Sequence, residues 1–134
     1  ETDWPFRVLL PVGTHVPFHC TASGKTYLAS LPAAKRRNML AGLDLYRYTD
    51  TTHGSIETLE QELKQVARDG YALDREEFHE GMVAIAVPVL DSRRRYVAAL
   101  ATHGPKQRFN VDDAMARRGL LVDSAKIITE TFGY

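Results

Sequence analysis

The apolar positions of this chain change period along its length, and each change marks an element. The clearest helix is announced by Ser55 and runs on through Ile56, Leu59, Leu63, Val66 and Ala67, apolar residues recurring at spacings of three and four. Glu60 and Lys64 stand four apart as a favourable pair, and Gly70 occupies the place of a helix C-terminal glycine. After Gly70 the period shortens. YALD reads as a short strand, EEFHEG as a polar loop and VAIAVPVL (83–90) as a strongly apolar strand. The turn Asp91 to Arg95 returns the chain into YVAALATH (96–103), giving a hairpin, with Pro88 marking an edge or a bulge because it lacks a ladder donor.

The flanking segments are read in the same way. FRVLLPV (6–12) reads as a strand closed at Gly13-Thr14, and Pro17 keeps residues 15–18 extended. Thr21 or Ser23 caps a helix that runs through TYLASL to the Leu31-Pro32 break. A second helix covers 33–41, with Met39 and Leu40 behind a basic Lys35-Arg36-Arg37 face. The stretch DLYRYTDTTHG (44–54) is a loop. Asn110, with Asp112 and Asp113, starts one last helix, with Leu121, Ala125, Ile128 and Phe132 on its inner face. Three helices, a strand, a hairpin and a helix make an α+β domain with an antiparallel sheet.

Composition narrows the function. At 134 residues the chain holds one domain or part of one, and 44% apolar with 25% charged residues is the balance of a globular chain. Lys plus Arg equals Asp plus Glu at 17 each, whereas a domain gripping nucleic acid carries a basic excess. The run Arg93-Arg94-Arg95 falls in a hairpin turn, so this piece alone is a poor DNA binder. Cys20 is the only cysteine, which excludes an intramolecular disulfide and fits a reducing, cytoplasmic setting. No apolar run reaches the ~20 residues of a membrane span.

The segment HCTASGKTYLA (19–29) carries the chemistry. Its GKT matches the end of a P-loop, but His19 stands where the motif needs its first glycine, and no buried strand feeds the loop. What remains is Ala22-Ser23-Gly24 at a helix start, where free N–H groups favour an anion such as a carboxylate. Lys25 is read as a salt-bridge partner. His15 and His19 with Cys20 raise a metal site, extended by Glu77, His79 and His103, but Pro17 denies the two histidines a common helix face. Cys20 raises a thiol nucleophile activated by the helix start, against the plainer reading of a small buried residue. In the acidic run after residue 73, Asp74 is expected to point inward while Glu76 and Glu77 stay solvated.

Three segments together, LLPVGTHVPFHCTASGKTYLASLP (9–32), RDGYALDREEFHEGMVAIAVPVLD (68–91) and YVAALATHGP (96–105), resemble the effector-binding domain of the IclR family of bacterial transcriptional regulators. The resemblance implies a GAF-like antiparallel sheet flanked by helices, here without its first strands, and no enzymatic activity or cofactor. It implies a homodimer or tetramer, and contact with DNA only through a winged helix-turn-helix that is not in this chain. It further implies a pocket for a small organic-acid effector. Ala22 and Ser23 would give N–H groups to its carboxylate, and Asp74 would accept from a ligand hydroxyl or a water. Val8, Val16, Met82 and Ala84 would form walls, and Ala101 and His103 would stand where the family often has two pocket serines. His103 then offers a donor, or a positive charge when protonated. The rival readings are a GAF-type sensor or a cysteine-dependent small-molecule enzyme unconnected with transcription, and a dimerisation module without a ligand.

Overall fold

A computed structural model of the protein describes residues 11–134. The strand expected over 6–12 falls almost wholly outside the described residues, as does Val8. The elements are α1 (Ala22–Ser30), α2 (Ala33–Ala41), α3 (Ile56–Asp69), β1 (Ala72–Arg75), β2 (Met82–Leu90), β3 (Tyr96–Pro105), α4 (Val111–Ala116) and α5 (Arg118–Phe132). The three strands form one antiparallel sheet in the order β1-β2-β3, so the α+β expectation holds.

The uninterrupted apolar run of β2 follows from burial on both faces. Val83, Ile85, Val87 and Val89 join Leu73 of β1 against Ala114, Leu121 and Ala125 of α4 and α5. The alternate positions turn to the other face, where α1 crosses the sheet. A second core gathers Leu28 and Ala29 of α1, Leu40 of α2, Leu59, Leu63 and Val66 of α3 and Ala72 of β1. Helices therefore cover both faces of the sheet, with an apolar cluster on each side.

Helix ends obey local chemistry. Ser55 accepts from the Thr58 N–H at the start of α3, and Gly70, at φ 79°, closes its far end in the left-handed region. The expected Glu60–Lys64 pair gives way to a longer-range one. Arg36 of α2 reaches Glu60 with Nη2–Oε1 at 2.8 Å, and so ties α2 to α3. Pro88 lies past the end of β1, pairing with Ala99 on the β3 side, next to a register shift at Val89/Leu90. At the hairpin, Asp91 Oδ1 accepts from the N–H groups of Arg93 and Arg95.

The final helix departs from expectation in two ways. Asn110 caps α4 with a reciprocal Asp113 box, but the helical path tightens at Arg117, whose N–H bonds to Ala114 O at 3.0 Å, and α5 starts anew. Phe132 is 69% exposed rather than on the inner face. It lies beyond the packed stretch that ends near Ile128, and it stacks on Tyr134 instead. Leu63 is fully buried where α3 meets α1 and the sheet. Leu63→Ala is expected to cost about 2–5 kcal/mol, read as a lowered midpoint in urea denaturation with an unchanged slope.

Candidate functional site

The start of α1 is held open by its own sequence. Thr21, not Ser23, is the cap: its hydroxyl donates to Pro17 O at 2.7 Å and accepts from the Gly24 N–H at 3.0 Å. Gly24 lies so close to the incoming chain that a Cβ there would stand 2.5 Å from the Phe18 backbone, so only glycine lets the turn pass. The Lys25 N–H begins the helical ladder by bonding to Thr21 O. Among the described residues the N–H groups of Ala22 and Ser23 find no acceptor, the normal state of the first helical positions. They are donors aimed out of the helix end, with the helix dipole behind them.

The sheet supplies the floor opposite. Register places Asp74 beside Ala84 and Ala84 beside His103, one row across the three strands. The next row is Ala72, Ala86 and Ala101. Residues paired directly across antiparallel strands share a face, and small side chains at 84 and 101 leave space above the sheet. A cavity of about 210 Å³ results, roughly seven times the ~30 Å³ that one water occupies in the liquid. Its lining includes Val16, Ala22, Ser23, Asp74, Met82, Ala84, Ala101 and His103. Every site position expected from the sequence, Val8 apart, thus borders one space. Val83, Thr21, Phe78 and His79 also line it.

Phe78 and His79 come from the β1–β2 connection, which had been read only as polar. Phe78 packs edge-on against Tyr48 with ring centroids 5.2 Å apart, and Tyr48 meets Tyr46 in the same way at 4.9 Å. These tyrosines belong to the 44–54 loop. That loop is stitched to the β1–β2 connection by hydroxyls: Thr51 donates to Arg75 O, Thr49 to Glu76 O and Thr52 to Glu77 O. His19, buried, donates to Tyr46 O at 2.7 Å from the other side.

Behind Asp74 lies a charged cluster. Lys25 has no exposed surface, and its three ammonium donors go to Glu62 at 3.0 Å, Glu77 at 2.8 Å and the Leu73 carbonyl. Glu77 is therefore buried, not solvated as expected: its charge is matched by Lys25, and its Oε2 also accepts from the Arg75 N–H. Burial pushes the Glu62 carboxyl up, but His53 at 2.7 Å and Lys25 together hold it below its ordinary value. Asp74 is 7% exposed, and burial, reinforced by the Glu77 charge, pushes its carboxyl up to about 7. The N–H groups of Glu77 and Phe78, with Lys25, pull the other way and do not prevail.

The thiol and metal ideas fare differently. Cys20 is fully buried, and burial, with Asp74 and Glu77 nearby, pushes its thiol up to about 12. That is opposite to the lowering expected at a helix start, since burial outweighs the dipole, and it leaves no thiolate for nucleophilic work. The donor set that the fold does gather, His53, Glu62 and Glu77 within 4.8 Å, shares only Glu77 with the set suggested by the sequence. The Lys25 ammonium already bonds both of its carboxylates.

The family model for the bacterial transcriptional regulator IclR C-terminal domain matches residues 1–130. The chain belongs to the IclR family. Its relatives are transcriptional regulators rather than enzymes. It is 42% identical over 115 residues to the probable transcriptional regulator SauR of Cupriavidus necator, a match covering 86% of this chain and 46% of that protein. The chain spans about half the length of the curated relatives it matches. Thermotoga maritima IclR superposes with a TM-score of 0.89 at 28% identity, over 100% of this chain and 54% of that one. The inducer-binding domain of a PobR double mutant from Acinetobacter, solved with 3-hydroxybenzoic acid, superposes at 0.78 with 26% identity, covering 96% and 77%.

Two outcomes follow for this IclR-family domain. Lys25→Met leaves Glu77 and Glu62 without their buried cation, and is expected to cost about 3–5 kcal/mol in chemical denaturation. For Asp74, the folded value lies above the unfolded one near 3.8, so the unfolded state releases its proton first. The burial penalty is therefore complete above about pH 7, and it fades as the pH falls toward the unfolded value. Asp74→Asn retains an acceptor for the Glu77 N–H. It is expected to melt higher than the wild type at alkaline pH, with the gap closing on acidification in paired thermal melts.

Proposed function

We propose that this chain is the effector-sensing domain of an IclR-type transcriptional regulator, and that its cavity takes a small organic acid. The observation that carries the proposal is the convergence, on one small space, of two N–H groups at the start of α1 that have no acceptor among the described residues with the Asp74–Ala84–His103 row. The ligand carboxylate sits at Ala22 and Ser23, where the helix dipole favours negative charge. Ser23 adds a hydroxyl, Asp74 and His103 read polar groups on the ligand body, and Val16, Met82, Ala84, Ala101 and Phe78 set its size. A related inducer-binding domain was solved with an aromatic hydroxy acid, which supports this ligand class.

No bond is made or broken. Binding energy selects one arrangement of the cavity and its mouth, and can shift an equilibrium only by its preference for that arrangement. The response is passed to DNA by a winged helix-turn-helix elsewhere in the longer protein, within a homodimer or tetramer, in the bacterial cytoplasm. Among the described residues no helix is long and apolar enough to cross a membrane.

Thermal-shift measurements with aliphatic, aromatic and sugar acids test the reading. One class is expected to raise the melting temperature by several degrees, since ligand at a hundredfold excess over Kd adds ~2.7 kcal/mol. Ala84→Leu fills the floor and is expected to abolish that rise while leaving the fold intact. Asp74→Ala is expected to weaken it at least tenfold. A wild type indifferent to all three classes, or an Ala84→Leu protein that still responds, sinks the assignment.

A further inference from the structure

The cavity contains a conflict of charge. An organic acid enters as an anion, yet the wall it faces already carries the Asp74 carboxyl, 7% exposed, inside about 210 Å³. Two carboxylates confined in one small cavity do not both stay ionised: one holds a proton. Lys25, the nearest buried cation, has all three donors spent on Glu62, Glu77 and the Leu73 carbonyl. Of those partners, Glu77 is itself a buried anion joined to Asp74, its N–H donating to Asp74 Oδ1 at 2.8 Å.

Resting on the organic-acid reading above, we infer that Asp74 serves the bound state as a hydrogen-bond donor, so that the effector is taken up together with one proton. The proton comes from solvent. The free chain plus acid anion plus one proton gives a complex in which the ligand stays an anion at Ala22 and Ser23 and Asp74 is a neutral carboxylic acid. With one oxygen fixed by the Glu77 N–H, the other carries the proton and points its hydrogen at a ligand oxygen. Asp74 thereby selects ligands that present an acceptor beside their carboxylate. An amide in place of this acid, Asp74→Asn, would lose the coupling without losing the shape.

The groups facing Asp74 set the direction. From α1 and the residues before it come Lys25 and the Cys20 thiol; from the β1–β2 connection come Glu77 and His79; from β3 comes His103. Glu62 and His53 stand one step further, beyond Lys25. The ordinary burial of Asp74 has already moved its carboxyl to about 7, so an added anion lifts it clear of neutral pH. His79 and His103 also border the cavity, so the test must separate them from Asp74.

Calorimetric titration of the full chain in buffers of different ionisation enthalpy counts the protons taken up per ligand. Pyruvate, benzoate and gluconate serve as probes, being fully ionised from about pH 6 to about pH 9, so that any proton comes from protein or solvent. For the acid that binds, uptake is expected to approach one proton near pH 8, with affinity falling about tenfold per pH unit above the Asp74 midpoint. Asp74→Asn is expected to reduce the uptake to near zero. The double variant His79→Gln with His103→Gln is expected to keep it. A wild type that binds with no uptake overturns the inference and leaves the organic-acid reading standing, as does uptake lost in the histidine variant and kept in Asp74→Asn. If none of the three probes binds, both fall together. Should Asp74→Asn not fold, the carbon-13 shift of the Asp74 carboxyl in the wild type decides: its titration midpoint must rise when the acid is added.

Discussion

A fully buried ammonium is the constraint on which the arrangement depends. Lys25 cannot stay charged inside the protein unless all three of its donors are met, and its partners come from α3, from β1 and from the β1–β2 connection. Those segments are far apart in sequence, so satisfying one side chain fixes how α1 sits over the sheet and beside α3. The helix start must then arrive at one height above the floor, which is what the close Gly24–Phe18 approach accomplishes. The anion-facing end of α1 and the charged cluster at its root are two consequences of one placement.

The cavity owes its shape to omission. In the rows Asp74–Ala84–His103 and Ala72–Ala86–Ala101, Ala84 and Ala101 border the cavity, while Ala72 and Ala86 are buried. The opposite face of the same strands is filled by valine, leucine and isoleucine. The sheet is thus filled on the α4–α5 side, while the other side carries both the second apolar cluster and the cavity. Polar groups are confined to the rim and to one wall, where Asp74 bears the electrostatic consequence of Lys25 being fully engaged by two glutamates.

Much of this was legible in the sequence because it is local or periodic. Spacings of three and four marked α3, Ser55 and Gly70 marked its two ends, and continuous apolarity marked β2. Resemblance to a family placed Ala22, Ser23, Asp74 and the alanine walls, and the fold gathers them at one space. What escaped was long-range. Glu77 sits in a run of charged residues and looks solvated until a lysine 52 positions earlier in sequence is laid against it. Phe78 and His79 were hidden in the same run, although a lone phenylalanine among acids was a usable hint. For Cys20 the plainer reading of a small buried residue holds, and burial rather than the helix start sets its thiol. The break at Arg117 follows from where Ala114 and Leu121 must each meet the sheet, which no local rule encodes.

The 44–54 loop is fastened to the β1–β2 connection in a different way from the rest of the fold. Thr49, Thr51 and Thr52 reach the carbonyls of residues 75–77 through hydroxyls, while Tyr46 and Tyr48 stay largely in water. Water can replace an exposed bond such as that of Thr51 with little loss, whereas it cannot replace a buried leucine. The outer stitches of this loop can therefore loosen while both apolar clusters remain assembled.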